Sequence, residues 1–130
     1  MRYLSLLHRD DGMDRYYNYY DYDNAGVFEI LNEKLNLFNT TEIVGSFSSI
    51  IEQCKNSTII VDLHIVTNID SVGIGFLIAV KNICVKKGYD ICLVIDRDVI
   101  IKVLKITKME SFFNIFNSIE DAVKWIDRPE

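Results

Sequence analysis

From Gly26 onward the chain alternates between short apolar runs and longer segments in which apolar residues recur every three or four positions, and the two periods predict different elements. "VFEIL" (27–31) and "LNLF" (35–38) alternate well enough to be read as two strands. Phe28, Ile30, Leu35 and Leu37 are then the inward positions, and "NEK" is the turn of a short hairpin. Asn39, with Glu42 three residues on, has the pattern of a capping box with Asn in the Ser/Thr role. Beyond it Ile43, Val44, Phe47, Ile50, Ile51 and Cys54 share one helical face, and Lys55 and Asn56 suit the helix end.

"TIIVDL" (58–63) and "ICLVI" (91–95) lack polar alternation, as strands covered on both faces do. Between them Val72, Phe76, Ala79, Val80, Ile83 and Cys84 mark a helix that Lys86, Lys87 and Gly88 stop. Strand, helix, strand at this spacing is a crossover unit with parallel strands. Asp98 is expected to cap a short helix from Val99 to about Ile106, "NIF" (114–116) to be a last strand, and Ser118 to cap a helix carrying Ile119, Ala122, Val123 and Ile126. The fold class is therefore α/β: one domain with a mixed, mostly parallel sheet and packed helices.

The first 25 residues break this pattern. "YYNYYDYD" holds five tyrosines between positions 16 and 22 without a clean period of 2 or 3.6, which suggests an irregular, mobile arm; a strand or coil lying across the domain's own sheet is an equally good reading. The expected organisation is an arm over 1–25, a domain over 26–126 and a tail over 127–130, and Met13 would also serve as a natural start.

Composition narrows the function classes. A chain of 130 residues, 49% hydrophobic, supports one core. No apolar run approaches the roughly 18–20 residues of a membrane span, and the opening "MRYLSLLHRDDG" lacks a signal-peptide pattern, so a cytoplasmic protein is expected. Cys54, Cys84 and Cys92 sit among aliphatic neighbours and read as buried reduced thiols. His8 and His64 stand at no zinc-finger spacing from them, so neither a metal nor another cofactor is expected. The net charge of −5 is uneven, with seven acids against four bases in residues 1–40 and seven bases against three acids in 81–108. Those lysines fall on polar helix faces, and nothing calls for direct binding of nucleic acid.

The candidate chemistry lies in "NIDSVGIG" (68–75), a strand-to-helix loop of the kind where crossover folds bind partners. Asp70 is placed as N-cap and Ser71 as the first helical residue, beside backbone N–H groups without helical partners. Gly73 and Gly75 each cost the helix about 1 kcal/mol relative to alanine, which suggests a close approach by a strand, a phosphate or another protein. A dinucleotide fingerprint fails because position 78 is Ile78, and there is no Walker lysine. Neither His8 nor His64 has a spacing that marks it as a base for Ser71, and Asp62 and Asp70 each have structural explanations, so no enzyme is expected. A phosphorelay receiver would explain Asp62 at a strand end, but its acidic pair and late lysine are missing.

These residues carry a resemblance. Asp62-Leu63, Asp70-Ser71-Val72-Gly73-Ile74-Gly75, Gly88, Phe113 to Phe116, and Glu120 with Ala122 follow in the order and spacing of the STAS domain of anti-sigma factor antagonists, over roughly residues 26–126. The resemblance implies that Ser71 is phosphorylated by a cognate anti-sigma factor, a GHKL-type serine kinase. It implies too that the unphosphorylated protein binds this kinase through Asp70 to Gly75 and Asn36, and that the phosphorylated one lets go. Val72 replaces a second hydroxyl residue, Glu33 and Asn36 stand where many members have Gly and Asp, and Lys108 stands where a helix-ending glycine is common. Alternatives are a non-phosphorylated STAS scaffold or accessory subunit of a lipid ABC transporter, and nucleotide binding at the same loop; a homodimer is a further candidate, and for the tyrosine arm covering the sheet, docking a partner and self-association all stay open.

Overall fold

The computed structural model describes residues 16–127, and at residues 37–39 the backbone alone. The chain runs β1 (Tyr17–Tyr22), β2 (Ala25–Ile30), β3 (Lys34–Leu35), α1 (Leu37–Gln53), β4 (Thr58–Asp62), β5 (Asn68–Ile69), α2 (Ser71–Lys86), β6 (Asp90–Val94), α3 (Asp98–Ile106), a 3-10 turn (Glu110–Phe112), β7 (Asn114–Phe116) and α4 (Ile119–Ile126). Five strands form one sheet in the order β1-β2-β4-β6-β7, parallel except where β1 meets β2. β3 and β5 form a separate parallel pair.

The apolar run of β4 goes to the centre of the sheet, where every residue from Thr58 to Asp62 is buried. Alternation along the strands then sorts side chains between two cores. Phe28, Ile30, Ile59, Val61, Ile91 and Leu93 pack under α1, α2 and α3 against Phe47, Leu77 and Leu104, whereas Val27, Ile60, Cys92 and Val94 pack under α4 against Ala122 and Val123.

Of the two readings of the tyrosine segment, the sheet bears out the strand and corrects the arm over residues 17–22. Tyr17–Tyr22 is the edge strand β1, in register with β2 from Tyr17 opposite Ile30 to Tyr22 opposite Ala25. Tyr17 and Tyr19 belong to the three-helix core and Tyr20 to the α4 core, so both faces of the strand are aromatic and no polar alternation marks it. Gly26 leaves the space over which the Tyr19 ring lies. Residues 1–15, with Met13 and His8, and residues 128–130 of the expected tail lie outside the described residues.

The predicted hairpin is corrected as well. β2 pairs with β1 and β4, while β3 pairs with β5, and "LNLF" runs into α1. That helix starts at Leu37, two residues before the expected cap at Asn39. Asn36 wins the cap position, since its carbonyl accepts the first helical bond from the Thr40 N–H at 3.1 Å. Likewise Asp98 is the first residue of α3 rather than its cap, a place where its charge suits the helix dipole. The expected Ser118 cap is present, with its Oγ accepting from the Asp121 N–H at 3.1 Å.

Gly88 (φ +76) and Lys108 (φ +60) both take the left-handed conformation after a helix, which costs Lys108 about 1 kcal/mol or more. The three cysteines are free thiols; Cys84 and Cys92 are buried and Cys54 is half-buried. Burial, and then the nearby Cys54, push the Cys84 thiol up to about 12. Among the described residues no helix is long and apolar enough to cross a membrane.

Candidate functional site

α2 begins where β5 hands the chain over at Ile69. Asp70 keeps an extended backbone (φ −113, ψ −168), its side chain accepts from the Gly73 N–H at 3.0 Å, and its carbonyl accepts from the Ile74 N–H at 3.0 Å. This leaves the amides of Ser71 and Val72 without partners inside the helix, so the positive end of a 16-residue helix faces outward. Ser71 is the first helical residue and is exposed, as are Asp70 and Gly75; Val72 is 37% exposed. Ile74, Phe76 and Leu77 are buried, and they fix the helix start to the core behind the loop.

The two glycines differ. A Cβ at Gly73 would stand 2.5 Å from Ile69 Cγ1 and 3.1 Å from the Leu35 backbone oxygen, so the chain's own β3–β5 pair is the body that approaches closely there. At Gly75 a Cβ would meet nothing within 4 Å. Gly75 instead lines a groove of about 270 Å³ between α1 and α2, with Thr40, Thr41, Val44, Phe76 and Ala79.

β3 is the element that sequence reading missed in its true role. Leu35 pairs with Ile69, so the parallel register carries Asn36, one step on, toward the level of Asp70. The Glu33 carbonyl accepts from the Thr67 and Asn68 N–H groups at 2.8 and 3.2 Å and ties the loop to this segment. The structure thus brings Asp70, Ser71, Val72, Gly73, Ile74, Gly75 and Asn36 to one end of the domain; Gly73 and Ile74 are buried and Asn36 is half-buried. Two-residue strands carry no periodicity, and the hint available was the pair of residues Leu35 and Ile69, each beside a turn-forming polar residue.

The other candidates for chemistry lie elsewhere. His64 Nδ1 is 2.9 Å from Asp62 Oδ2 and its Nε2 is 3.7 Å from Glu29 Oε2, so the ring is committed to a carboxylate pair rather than to Ser71. Asp62 is 2% exposed and engaged with His64, whereas Asp70 is engaged with its own helix, so the two do not act as an acid pair.

Known proteins match this fold. The chain fits the model of the STAS domain family over residues 16–122, a span that includes β1. An anti-sigma factor antagonist from Mycobacterium paratuberculosis superposes with a TM-score of 0.75 at 16% identity, over 94% of this chain and 100% of that one. The anti-sigma factor antagonist SpoIIAA in its unphosphorylated form superposes with a TM-score of 0.69 at 16% identity, over 85% of this chain and 95% of its own. The phosphorylated form of the Bacillus cell fate determinant SpoIIAA gives a TM-score of 0.62 at 16% identity, over 85% and 98%.

Proposed function

Because this chain belongs to the STAS domain family, we propose that it is an anti-sigma factor antagonist switched by phosphorylation of Ser71. The observation that carries the reading is the exposed Ser71 hydroxyl at the open amino end of α2, directly after the capping carboxylate of Asp70. One of the structural neighbours exists in phosphorylated and unphosphorylated forms, which supports the same chemistry for this fold. The protein is then a non-enzymatic adaptor whose partner, a GHKL-type anti-sigma serine kinase, supplies ATP and the catalytic groups. It acts on transcription through that protein and not by touching nucleic acid.

The physics of the loop suits a switch. A phosphate on Ser71 gains from the unpartnered amides and the helix dipole, typically 0.3–1 kcal/mol and at most about 2, so the modified chain stays folded. Against a bound protein, a group of about −2 charge beside Asp70 brings repulsion and desolvation of roughly 3 kcal/mol, or about a hundredfold in affinity. The free space over Gly75 and the groove beside it leave room for the partner to lie close to the helix start.

Incubation with ATP and the anti-sigma kinase encoded in the same genome, followed by peptide mass spectrometry, tests the proposal. One phosphate on Ser71 is expected. Ser71→Ala is expected to take none and still bind the kinase, and Ser71→Asp to fold but bind weakly. Phosphate on another residue with Ser71 unmodified contradicts the assignment.

A further inference from the structure

On the face of the sheet away from α2, two acids meet at the carboxyl ends of neighbouring strands. Glu29 and Asp62 are register partners in the parallel pair β2–β4. Strand alternation turns both toward the α4 side, two residues after Val27 and Ile60 of that core. Like charges directly opposite destabilise a sheet, and Asp62 is only 2% exposed. Burial, and then Asp62, push the Glu29 carboxyl above its ordinary range, while His64 and Asn18 act the other way.

His64 is held by Asp62 twice: its backbone N–H donates to Oδ1 at 3.0 Å, and its Nδ1 lies 2.9 Å from Oδ2. The tautomer that satisfies Asp62 puts the proton on Nδ1 and leaves the Nε2 lone pair free. That nitrogen faces Glu29 Oε2 at 3.7 Å, too far for a hydrogen bond. Two donor atoms each about 2.1 Å from a tetrahedral metal stand about 3.4 Å apart, close to this gap. A ring positioned through Nδ1 by a carboxylate while Nε2 binds is the usual support of a metal-bound histidine. One ligand atom from each of Glu29, Asp62 and His64 fits within 4.8 Å of the others.

The space beside them is suited to a cation. Asp62 and His64 lie on a cavity of about 500 Å³ whose wall also holds Tyr20, Tyr22, Asp96 and Glu120; among the described residues no Lys or Arg lines it, and Arg97 Nε donates to the His64 carbonyl at 3.2 Å. His64 is 44% exposed, so the donor nitrogen is reachable from outside. The apolar covering stops short here because α4 is eight residues long and starts beyond Ser118.

We propose that Glu29 and His64 bind a divalent transition-metal ion of the zinc type, with Asp62 positioning the imidazole and water completing the coordination from the cavity. Mixed nitrogen and oxygen donors favour such ions over Mg2+ or Ca2+, which prefer oxygen alone. The site is separate from Ser71 and stands whether or not that serine is a phosphosite.

The test uses the full chain stripped of metal and titrated with Zn2+ by calorimetry, with the Co2+ visible absorption spectrum as a second readout. One ion per chain is expected, with tetrahedral-type cobalt bands. Glu29→Gln and His64→Gln are each expected to weaken binding at least tenfold, and Asp62→Asn by about 10- to 100-fold. Circular dichroism of each variant checks that it is folded, and Glu29→Gln, which keeps the side chain's size, carries the test if Asp62→Asn fails to fold. Absence of saturable binding overturns the proposal. So does binding that survives Glu29→Gln and His64→Gln unchanged but is lost in His8→Ala or Cys54→Ser.

Discussion

The two faces of the sheet are covered unequally, and each presents what its covering allows. Under α1, α2 and α3 lies a large core that includes Tyr17, Phe28, Phe47, Leu77 and Leu104. Under α4 alone lies a small one, built on Val27, Ile60, Cys92 and Val94 with Ala122 and Val123. On the thick side Ile74, Phe76 and Leu77 anchor the α2 start, while Ser71 and Val72 stand exposed ahead of them. On the thin side the end of β4 opens on a cavity through Asp62 and His64, and Glu29 of β2 joins their cluster. A firmly seated helix start and an open polar pocket thus come from one sheet through the number of helices on each side.

The largest expected effect tests that inequality. Phe47 is fully buried and meets the Phe28 ring edge-on at 5.0 Å, so Phe47→Ala is expected to cost 3–5 kcal/mol in urea denaturation. Val123→Ala, on the α4 face, removes two methyl groups and is expected to cost about 1.6 kcal/mol. A cost at Val123 as large as that at Phe47 would mean that the α4 face is the more tightly packed per group removed.

Next in size is the contrast within the Ser71 loop. Gly73→Ala forces a methyl group against Ile69 and the Leu35 carbonyl and is expected to destabilise by about 1–3 kcal/mol. Gly75→Ala meets nothing and is expected to stabilise by about 0.5–1 kcal/mol while weakening the kinase complex. The same denaturation series reads both, and a cost at Gly75 would show that the open space above it is not open.

The last contrast is nil at neutral pH and appears only in alkali. The Cys84 thiol sits in the thick core with its pKa raised from 9.0 to about 12, so above pH 9 the unfolded chain loses a proton that the folded chain keeps. Stability from this thiol is therefore lost as pH rises between about 9 and 12, with a slope of about 1.4 kcal/mol per pH unit for the one proton. Cys84→Ala is expected to flatten stability against pH in that window, and the half-buried Cys54 to react with a thiol reagent before Cys84 does.

The parts of this fold that could be read from the chain are those where burial writes a period into it. β4 and β6 are covered on both faces and spell continuous apolar runs, and α2 repeats its apolar residues at helical spacing before Lys86 and Gly88. β1 was legible only as one of two readings, because two cores each claimed tyrosines from it and left no clean period. β3 and β5 are too short to carry any pattern, yet they pack the Leu35–Ile69 pair under Gly73. Of the two asparagines three apart near α1, only the fold decides that Asn36 caps and Asn39 does not. The Ser71 loop was legible because capping chemistry is local. The Glu29–Asp62–His64 cluster was only half so: Asp62 and His64 are two residues apart, but Glu29 arrives through strand pairing.

The central claim is that charge on Ser71 costs the complex and spares the fold. The direct measurement is calorimetric affinity for the anti-sigma kinase of chain carrying phosphoserine at position 71 beside unmodified chain. Binding weaker by about a hundredfold is the predicted result. Equal affinities would contradict it.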